Sequence, residues 1–452
     1  MHRLPLLAAL LAVALLPSLA GETSENGQAY WPQWRGPSGN GVAQQGNPPL
    51  TWSETKNVRW KTALPGKGQS TPVIWGERIF VTAAIPHGAE EKPHGGHDHG
   101  THDNVVSSRR QKLVVLALDR GDGSILWERT VHDGLPHSSV HSSGTWASNS
   151  AVTDGKHVVA FFGSGGLYGL DVKGKLLWEK NLGEMQVKHG HGEGASPALH
   201  GNTVIVNWDH EGDSFVIALD KRNGKQLWKV ARDEGTSWSS PLVLEHDGKH
   251  QVVIAATNRV RSYDLADGKL IWECGGLSGN VVASPVAADG HVYVGSSYEK
   301  RAMLAIRLAD AKGDITNTDA VVWKRDRDTP YVPSPLLYED TLCFLKHYQA
   351  LLTCVKAGTG ETLIGPRRLQ GVRNIYASPI GAAGRIYIVG MGGSTLVLRK
   401  GGEFEPLALN VLEDQFAASP AVAGDALFLR GERSLYCLAE DQETKSSRSP
   451  TK

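Results

Sequence analysis

Apolar residues occur along this chain in short runs separated by polar turns, as at residues 113–116 and 252–254. Runs of this length, bounded by Gly, Asp, Asn and Ser, are typical of β-strands with tight turns between them. Beyond the N-terminus, no segment keeps the period of an amphipathic helix. The pattern therefore predicts an all-β protein built from many short strands.

One phrase recurs within this pattern: an apolar residue, an Asp, a Gly in the following turn and then a Trp. The Gly and Trp of its four copies are Gly123 and Trp127, Gly174 and Trp178, Gly224 and Trp228, and Gly268 and Trp272. In such a turn the Asp accepts hydrogen bonds from the backbone amides ahead of it, and the Gly supplies a positive φ. We expect each Trp to fill the wedge between neighbouring units, where a large flat ring buries the most area.

A second phrase marks where each unit begins: a small residue, Ser or Thr, and Pro, followed by an apolar run. Seven copies follow this form and one, Ser148-Asn149-Ser150, has Ser where the others have Pro. The Ser or Thr of the seven copies is Thr71, Ser196, Ser240, Ser284, Ser334, Ser378 and Ser419. Four strands in each unit of roughly 40–50 residues are the signature of a propeller blade.

The two ends of the chain predict how the ring closes. The last repeat, residues 418–438, lacks a Trp strand, and residues 57–61 supply one at the other end of the chain. Closure by an N-terminal strand leaves no open edge in the ring. The later repeats have no Trp at 361–364 or 404–407. We predict eight four-stranded blades, with seven as the alternative if one degenerate repeat is a long connection.

The rest of the chain divides by composition. Residues 1–20 have the basic start, apolar core and small-residue cleavage site of a secretion signal. Residues 21–50 form a Gly/Pro-rich lead-in, and residues 51–440 the propeller, with a His-rich insertion at 86–111. A polar tail, 441–452, is predicted to be disordered. The mature protein is expected to be exported to the periplasm or beyond, with no membrane-spanning segment.

The charge balance bears on the kind of partner, and the cysteines bear on a possible disulfide. The 47 basic and 47 acidic residues balance, which argues against nucleic acid as a partner. Of the four cysteines, only Cys343 and Cys354 are predicted to be near neighbours, on two strands joined by a turn. An exported protein permits a disulfide there. The alternative is four small buried side chains, and the sequence leaves the choice open.

The two phrases together resemble the pyrroloquinoline-quinone-type propeller repeat, over about residues 50–440. That repeat occurs in quinoprotein alcohol dehydrogenases and in the outer-membrane assembly factor BamB. The lead-in at residues 31–37 also resembles the start of a large group of exported bacterial proteins, many from planctomycete-like bacteria. The resemblance implies an eight-bladed propeller, but function has to be argued from the site.

A quinoprotein dehydrogenase implies a cofactor site on one face of the ring, formed by the loops that enter each blade and those joining its second and third strands. It would need oxygen ligands for Ca²⁺, an aromatic floor, and a basic residue near the quinone oxygens. Candidates of these types on that face are Glu193, Asp209, Trp238, Asn280 and Arg373. The chain departs from those enzymes because it has neither adjacent cysteines nor a Cys-x-x-Cys-His haem motif.

The insertion in the first repeat is rich in histidine. Imidazoles spaced along such a loop suit Zn²⁺, Cu²⁺ or Ni²⁺. The candidate metal ligands are His94, His97, His99 and His102. The alternative is a solvated loop with no metal.

Three functions follow from these residues. The first is an exported, non-catalytic propeller that binds or scaffolds envelope proteins or polysaccharide, similar in architecture to BamB. The second is a periplasmic dehydrogenase dependent on pyrroloquinoline quinone and Ca²⁺. The third is metal capture by the His-rich loop.

Overall fold

The computed structural model describes residues 27–94 and 103–440, in which eight four-stranded antiparallel sheets form the blades of a closed propeller. This confirms the predicted all-β class and the count of eight. The predicted signal peptide and tail lie outside the described residues. No helix in the described ranges is long and apolar enough to cross a bilayer.

The strands of blades 1 to 4, in sheet order, are Val73–Trp75, Arg78–His87, Arg110–Asp119 and Ile125–Gly134; Val152–Thr153, His157–Phe161, Leu167–Asp171 and Leu176–Lys180; Ala198–His200, Thr203–Trp208, Phe215–Asp220 and Gln226–Ala231; and Leu242–His246, Lys249–Ile254, Val260–Asp264 and Leu270–Cys274. Those of blades 5 to 8 are Val286–Ala288, His291–Ser296, Ala302–Arg307 and Val321–Arg325; Leu336–Tyr338, Thr341–Lys346, Leu351–Lys356 and Thr362–Arg368; Ile380–Ala382, Arg385–Val389, Ser394–Arg399 and Pro406–Val411; and Ala421–Ala423, Ala426–Arg430, Ser434–Leu438 and Val58–Ala63.

A few short elements lie outside this plan. Gly313–Asp314 adds a parallel fifth strand to blade 4. Asn104–Val105, at the end of the His-rich insertion, pairs with Val140–His141. The 3-10 helices are Gly27–Ala29, Gly163–Gly165, Lys188–Gly190 and Leu308–Asp310.

The ring closes as the sequence predicts. Val58–Ala63 pairs antiparallel with Ser434–Leu438 and so becomes the outermost strand of blade 8. Strands from the two ends of the chain therefore share one sheet, which leaves no unpaired seam between first and last blades.

The tryptophans link each blade to the next. Trp178 of blade 2 donates its Nε1–H to the carbonyl of Lys221 in the turn of blade 3, at 2.7 Å. Its ring covers Gly224 of that turn so closely that a Cβ there would lie 2.7 Å from the indole. The same indole-to-carbonyl bond, at 2.8–3.1 Å, is made by Trp60, Trp127, Trp228 and Trp323.

Two tryptophans, Trp323 and Trp272, differ from what the sequence predicts. Trp323 holds this position in blade 5, where an insertion between Arg307 and Val321 hides the repeat spacing. Trp272, although it follows the repeat phrase, is fully buried and bonds Gln251 Oε1 of its own blade instead. The insertion that lengthens the next blade removes the turn it would otherwise cover.

The hydroxyls of the Ser/Thr-Pro phrase join the blades at the channel. Seven of them, from Ser150 round to Ser419, accept a hydrogen bond at 2.8–3.0 Å from the backbone N–H of the equivalent residue in the preceding blade. The eighth, Thr71 Oγ1, donates to the Ser419 carbonyl. In blade 2 the position belongs to Ser150. The sequence alignment of Ser148-Asn149-Ser150 was therefore wrong by one residue, because Ala151 stands where the other blades have Pro.

The lead-in crosses one end of the ring and reaches the blades in chain order. Its residues contact the first strands of blades 1 to 7 and, in blade 8, the turn that follows the first strand. These contacts are Trp31 with Ile74, Pro32 with Thr153, Gln33 with Leu199, Gly39 beside Leu242, Asn40 with Ala287 and Leu337, Gly41 and Ala43 with Gly381, and Asn47 with Asp425. The lead-in thus links the blades to one another, in addition to the strand that closes the ring.

Arg35 closes the channel at this end. Its guanidinium is buried and donates to the carbonyls of Pro379 at 2.7 Å, Pro335 at 2.5 Å and Asn40 at 3.1 Å. Burial lowers the pKa of Arg35 to about 9. Arg35 and the lead-in therefore fill this end of the ring, and the loops that enter the blades lie at the opposite end.

Cys343 and Cys354 form a disulfide. They face each other across the second and third strands of blade 6. The disulfide resolves the choice that the sequence left open, and it clamps the hairpin whose loop carries His347 and Tyr348.

Candidate functional site

The mouth opposite the lead-in is surrounded by aromatic and imidazole rings. On one side, His141 lies edge-on to His191 with ring centroids 4.9 Å apart. His189 follows at 5.3 Å from His191, and Tyr298 of blade 5 at 6.3 Å from His189. These rings come from the loops that enter blades 2 and 3 and from the second-to-third-strand loop of blade 5.

The series continues through blades 5, 6 and 7. Tyr298 stacks on Tyr331 at 5.9 Å, and Tyr331 lies 5.0 Å from His347. Tyr348, next to His347, stacks on Tyr376 at 5.5 Å with an interplanar angle of 7°. We call these eight rings, His141, His189, His191, Tyr298, Tyr331, His347, Tyr348 and Tyr376, the channel-mouth belt.

Ser143 joins the two ends of the belt. Its Oγ lies 2.6 Å from His141 Nδ1, and it also hydrogen-bonds the side chain of Tyr376. Asn104 holds the neighbouring part in place, with Oδ1 2.9 Å from His191 Nδ1 and Nδ2 donating to the His189 carbonyl at 2.6 Å. The belt is thus fixed by side chains from the entry loops and from the end of the His-rich insertion.

Burial favours the uncharged form of three rings of this belt. It raises the pKa of Tyr331 to about 12 and also raises that of Tyr376. It lowers the pKa of His347. The hydroxyls of Tyr331 and Tyr376 are therefore neutral donors and acceptors, and their rings offer flat apolar faces beside them.

Asp209, a predicted calcium ligand, is inside blade 3. Its side chain is fully buried and pairs with Arg232, whose Nε and Nη2 donate to the two carboxylate oxygens at 2.7 and 3.1 Å. Ser237 Oγ donates a third bond at 2.7 Å. The carboxylate is therefore engaged by Arg232, directly after the last strand of blade 3, and by Ser237 in the loop that enters blade 4.

Glu193 is also engaged. Its carboxylate accepts hydrogen bonds at 2.5 Å from both the N–H and the Oγ of Ser164. Burial raises its pKa, with the hydrogen bonds from Ser164 acting in the opposite direction. Glu193 shares a narrow cleft with Asp209 and Trp238, so the structure brings these three predicted residues together.

Trp238 and Asn280 are neighbours in the entry loops of blades 4 and 5. Trp238 donates its indole N–H to the Gly192 carbonyl at 2.7 Å, and its backbone N–H bonds Val281 at 2.8 Å. Asn280 is buried with φ 57°, and no hydrogen-bond partner for its Oδ1 lies within the described ranges. Its side chain hydrogen-bonds Tyr331 of the channel-mouth belt.

Arg373 stands apart from these residues. It is exposed in the entry loop of blade 7 and lines a surface depression with Tyr348 and Asn374. The structure therefore places four of the five predicted cofactor residues around blades 3 to 5 and the fifth at blade 7. Their assignment to a cofactor stays a prediction.

The predicted metal site is mostly outside the described residues. His94 is exposed at the edge of the gap, and His97, His99 and His102 lie within it. Across residues 27–94 and 103–440, no group of three His, Cys, Asp or Glu side chains is placed to hold a metal ion.

Five rings of the belt, His141, His189, His191, Tyr331 and Tyr376, lie in loops that enter the blades, which the sequence analysis predicts to form this face. The sequence analysis names none of the other three rings, Tyr298, His347 and Tyr348. All three follow the second strand of their blades, at the position where blade 3 has the residues after Trp208. Applying the same register to blades 5 and 6 would have found them.

Eight four-stranded blades, several of them linked to the next by a Trp at the repeat turn, define a quinoprotein-like propeller. The family model described as outer membrane protein assembly factor BamB matches residues 38–207 and 212–446. The chain belongs to that family.

Solved structures agree on the fold. BamB from Moraxella catarrhalis superposes with a TM-score of 0.52 at 15% identity, covering 79% of this chain and 98% of that one. Quinohemoprotein alcohol dehydrogenase from Comamonas testosteroni gives 0.65 at 11% identity, covering 94% and 82%. At such low identity these likenesses show the fold alone.

Two curated relatives match part of the chain. Polyvinylalcohol dehydrogenase from a Pseudomonas species is 24% identical over 322 residues, 58% of this chain and 50% of the relative. Tetrathionate hydrolase from Acidithiobacillus ferrooxidans is 27% identical over 253 residues, 50% of this chain and 47% of the relative. The chain thus spans about half the length of these relatives.

Proposed function

We propose that this protein is an exported, non-catalytic binding module of the bacterial envelope whose channel-mouth belt holds its ligand. The observation that carries this is the belt itself, in which loops of five different blades bring rings together around one opening. A ring held closed by an N-terminal strand and by the lead-in is a rigid support for such a surface.

The chemistry of the belt favours a protein ligand over polysaccharide. Tyrosines dominate the energetics of many protein interfaces because each supplies a large rigid face and one hydroxyl. Tyr298 and Tyr348 are 47% and 42% exposed, so their faces are available to a partner. The family description, an outer-membrane assembly factor, also supports a protein partner in the envelope.

A peptide selection tests this proposal. Random peptides displayed on phage would be selected on residues 21–452, and the enriched sequences synthesised and titrated. The double variant Tyr348→Ala/Tyr376→Ala should bind them at least about tenfold more weakly, equivalent to about 1.4 kcal/mol. The control is Tyr30→Ala, because Tyr30 packs on Trp75 at the lead-in end.

Equal affinity of the selected peptides for all three proteins would overturn the proposal that the belt is the binding surface. Binding of glycan oligomers, but of no peptide, in parallel titrations would replace the protein ligand with polysaccharide.

The alternative is a dehydrogenase dependent on pyrroloquinoline quinone and Ca²⁺. The dehydrogenases among the relatives support it, as does the unpaired Oδ1 of Asn280 within the described residues. The donor set counts against it, because Ca²⁺ requires about six to eight oxygen ligands. Asp209 and Glu193 are already bonded to Arg232 and Ser164.

Calorimetric titration with pyrroloquinoline quinone and Ca²⁺ separates the two functions. Binding tighter than about micromolar, or roughly −8 kcal/mol, would favour the dehydrogenase and justify a substrate screen. We expect no such binding.

A further inference from the structure

A cavity of about 220 Å³ lies between blades 1 and 2, outside the channel-mouth belt. Its described lining comes from the strands and loops of those blades and from the loop that enters blade 3. None of these lining residues belongs to the belt. It is therefore distinct from the belt, although Glu193 also lines the cleft that holds Asp209 and Trp238.

Aromatic side chains form part of the wall. Trp146 is held by a hydrogen bond from its indole Nε1–H to the Ser138 carbonyl at 3.0 Å. Phe162 packs edge-on to Tyr168, with ring centroids 6.3 Å apart. Leu113 and Leu135 complete the apolar part of the lining. Fixed aromatic faces of this kind attract cations through the ring quadrupole.

The charged groups of the lining are acidic. Glu193 and Glu184 both line the cavity, and no lysine or arginine is found among its described lining residues. Glu193 is held at the inner side by Ser164, whereas Glu184 is exposed at the rim. The two carboxylates repel each other, which adds to the effect of burial in raising the pKa of Glu193.

Two imidazoles also line the cavity. His137 Nε2 lies 3.0 Å from the Met185 carbonyl, so this nitrogen carries a proton, and it lies 4.0 Å from Glu193 Oε1. Burial lowers the pKa of His132, which keeps that ring neutral at pH 7. The cavity therefore combines acidic groups, imidazoles and aromatic faces.

We propose that the cavity between blades 1 and 2 binds an organic ammonium ion, with Glu184 and Glu193 paired to its charge and Trp146 and Phe162 against its apolar part. An anionic ligand would meet repulsion from both carboxylates. A neutral apolar ligand would leave the rim carboxylate of Glu184 without a counter-charge, although Glu193 already accepts hydrogen bonds from Ser164. An ammonium attached to a ring or short chain would place its charge near the carboxylates and its apolar part against the aromatic side chains.

The test uses residues 21–452 and two probes of matched size, benzylamine and benzyl alcohol, titrated by calorimetry at pH 7. Benzylamine is expected to bind and the neutral alcohol to bind at least about tenfold more weakly, equivalent to about 1.4 kcal/mol. Glu184→Gln is expected to reduce benzylamine affinity at least about threefold, and Glu193→Gln more, because Glu193 is the more buried carboxylate.

The control variant is Glu179→Gln. Glu179 is an exposed carboxylate in the outermost strand of blade 2 and does not line the cavity, so the variant removes the same charge. Should Glu193→Gln fail to fold, the rim variant Glu184→Gln still decides the question. Equal binding of the two probes, or equal benzylamine affinity of wild type and Glu184→Gln, would overturn the proposal. Neither result bears on the channel-mouth belt.

Discussion

Thr71 and Ser419 lie 348 positions apart in the chain, and Thr71 Oγ1 donates to the Ser419 carbonyl at 3.0 Å. This bond joins blade 1 to blade 8 and completes the circle of hydroxyl hydrogen bonds that runs through Ser150, Ser240 and their equivalents. The seam between blades 8 and 1 is therefore held by three sets of contacts: the closing strand at the outer edge, the lead-in at one end of the ring and these hydroxyl bonds near the channel. The long separation in sequence makes closure of this seam costly in loop-closure entropy, which these contacts must offset.

Replacement of Thr71 by Val should weaken the seam. Valine keeps the shape but removes the hydroxyl, and the buried Ser419 carbonyl loses this donor. We expect a loss of about 1–2 kcal/mol in the free energy of unfolding by urea. Thr51→Val, at an exposed position, is the matched control. Equal stability of the two variants would contradict a role for the Thr71 hydroxyl in closure.

Asp209 is expected to be structural. Asp209→Ala leaves the buried guanidinium of Arg232 without its hydrogen-bonded counter-charge, which should cost about 3–5 kcal/mol. The double variant Asp209→Leu/Arg232→Met should recover much of that loss, because it removes both charges. Asp213→Ala, at an exposed neighbour, is the control. A stable Asp209→Ala protein that loses quinone binding would instead assign Asp209 to the cofactor.

Asp154 should make stability depend on pH in the acid range. Burial alone would raise its pKa, but hydrogen bonds from Lys221 of blade 3 and from the amides of His157 and Lys156 outweigh burial and lower it to about 2. Since this folded pKa lies below the unfolded value of 3.8, the stabilisation is complete above pH 3.8 and lost as the pH falls towards 2.

The variant Asp154→Asn should therefore be less stable than wild type at pH 7, by about 1 kcal/mol after allowance for solvent screening. The difference should shrink as the pH falls through the same range. Denaturation of both proteins at pH 7, 4 and 2.5 measures it, with Asp213→Asn as control. A difference that stays constant across this range would refute the linkage.

The disulfide should stabilise the loop that carries His347 and Tyr348. It closes a loop with a sequence separation of 11, for which the chain-entropy model gives about 3 kcal/mol. Dithiothreitol should therefore lower the midpoint of chemical denaturation. The variant Cys343→Ala/Cys354→Ala serves as the control, because dithiothreitol should leave its midpoint unchanged. A shift of equal size in that variant would show that the reductant acts elsewhere.

The His-rich insertion makes a separate prediction about metals. If His94, His97, His99 and His102 capture Zn²⁺, Cu²⁺ or Ni²⁺, deletion of residues 88–102 should abolish the affinity of the mature protein for these ions. Substitution of the four histidines by Asn, which keeps the loop length, should have the same effect. Unchanged affinity in either variant would end the hypothesis of metal capture.

The sequence by itself determined the class, the number of blades and the closing strand. Each of these follows from local repetition. The Asp–Gly turn and the Trp have similar neighbours in successive blades, so the structure predicted for one repeat also applies to the others. Trp127, Trp178 and Trp228 behave as predicted for this reason. Trp323 was missed because an insertion broke the spacing on which that reasoning depends.

Tertiary structure decided what the residues of the open face do. The sequence predicts both Asp209 and Asn280 as cofactor ligands. In the structure, the Asp209 carboxylate is bonded to Arg232, whereas the buried Oδ1 of Asn280 has no hydrogen-bond partner within the described ranges. The channel-mouth belt joins Tyr348 to Tyr376 and His189 to Tyr298 across blade boundaries. Such contacts depend on how far each loop reaches towards the channel, and the repeat pattern carries no information on that distance.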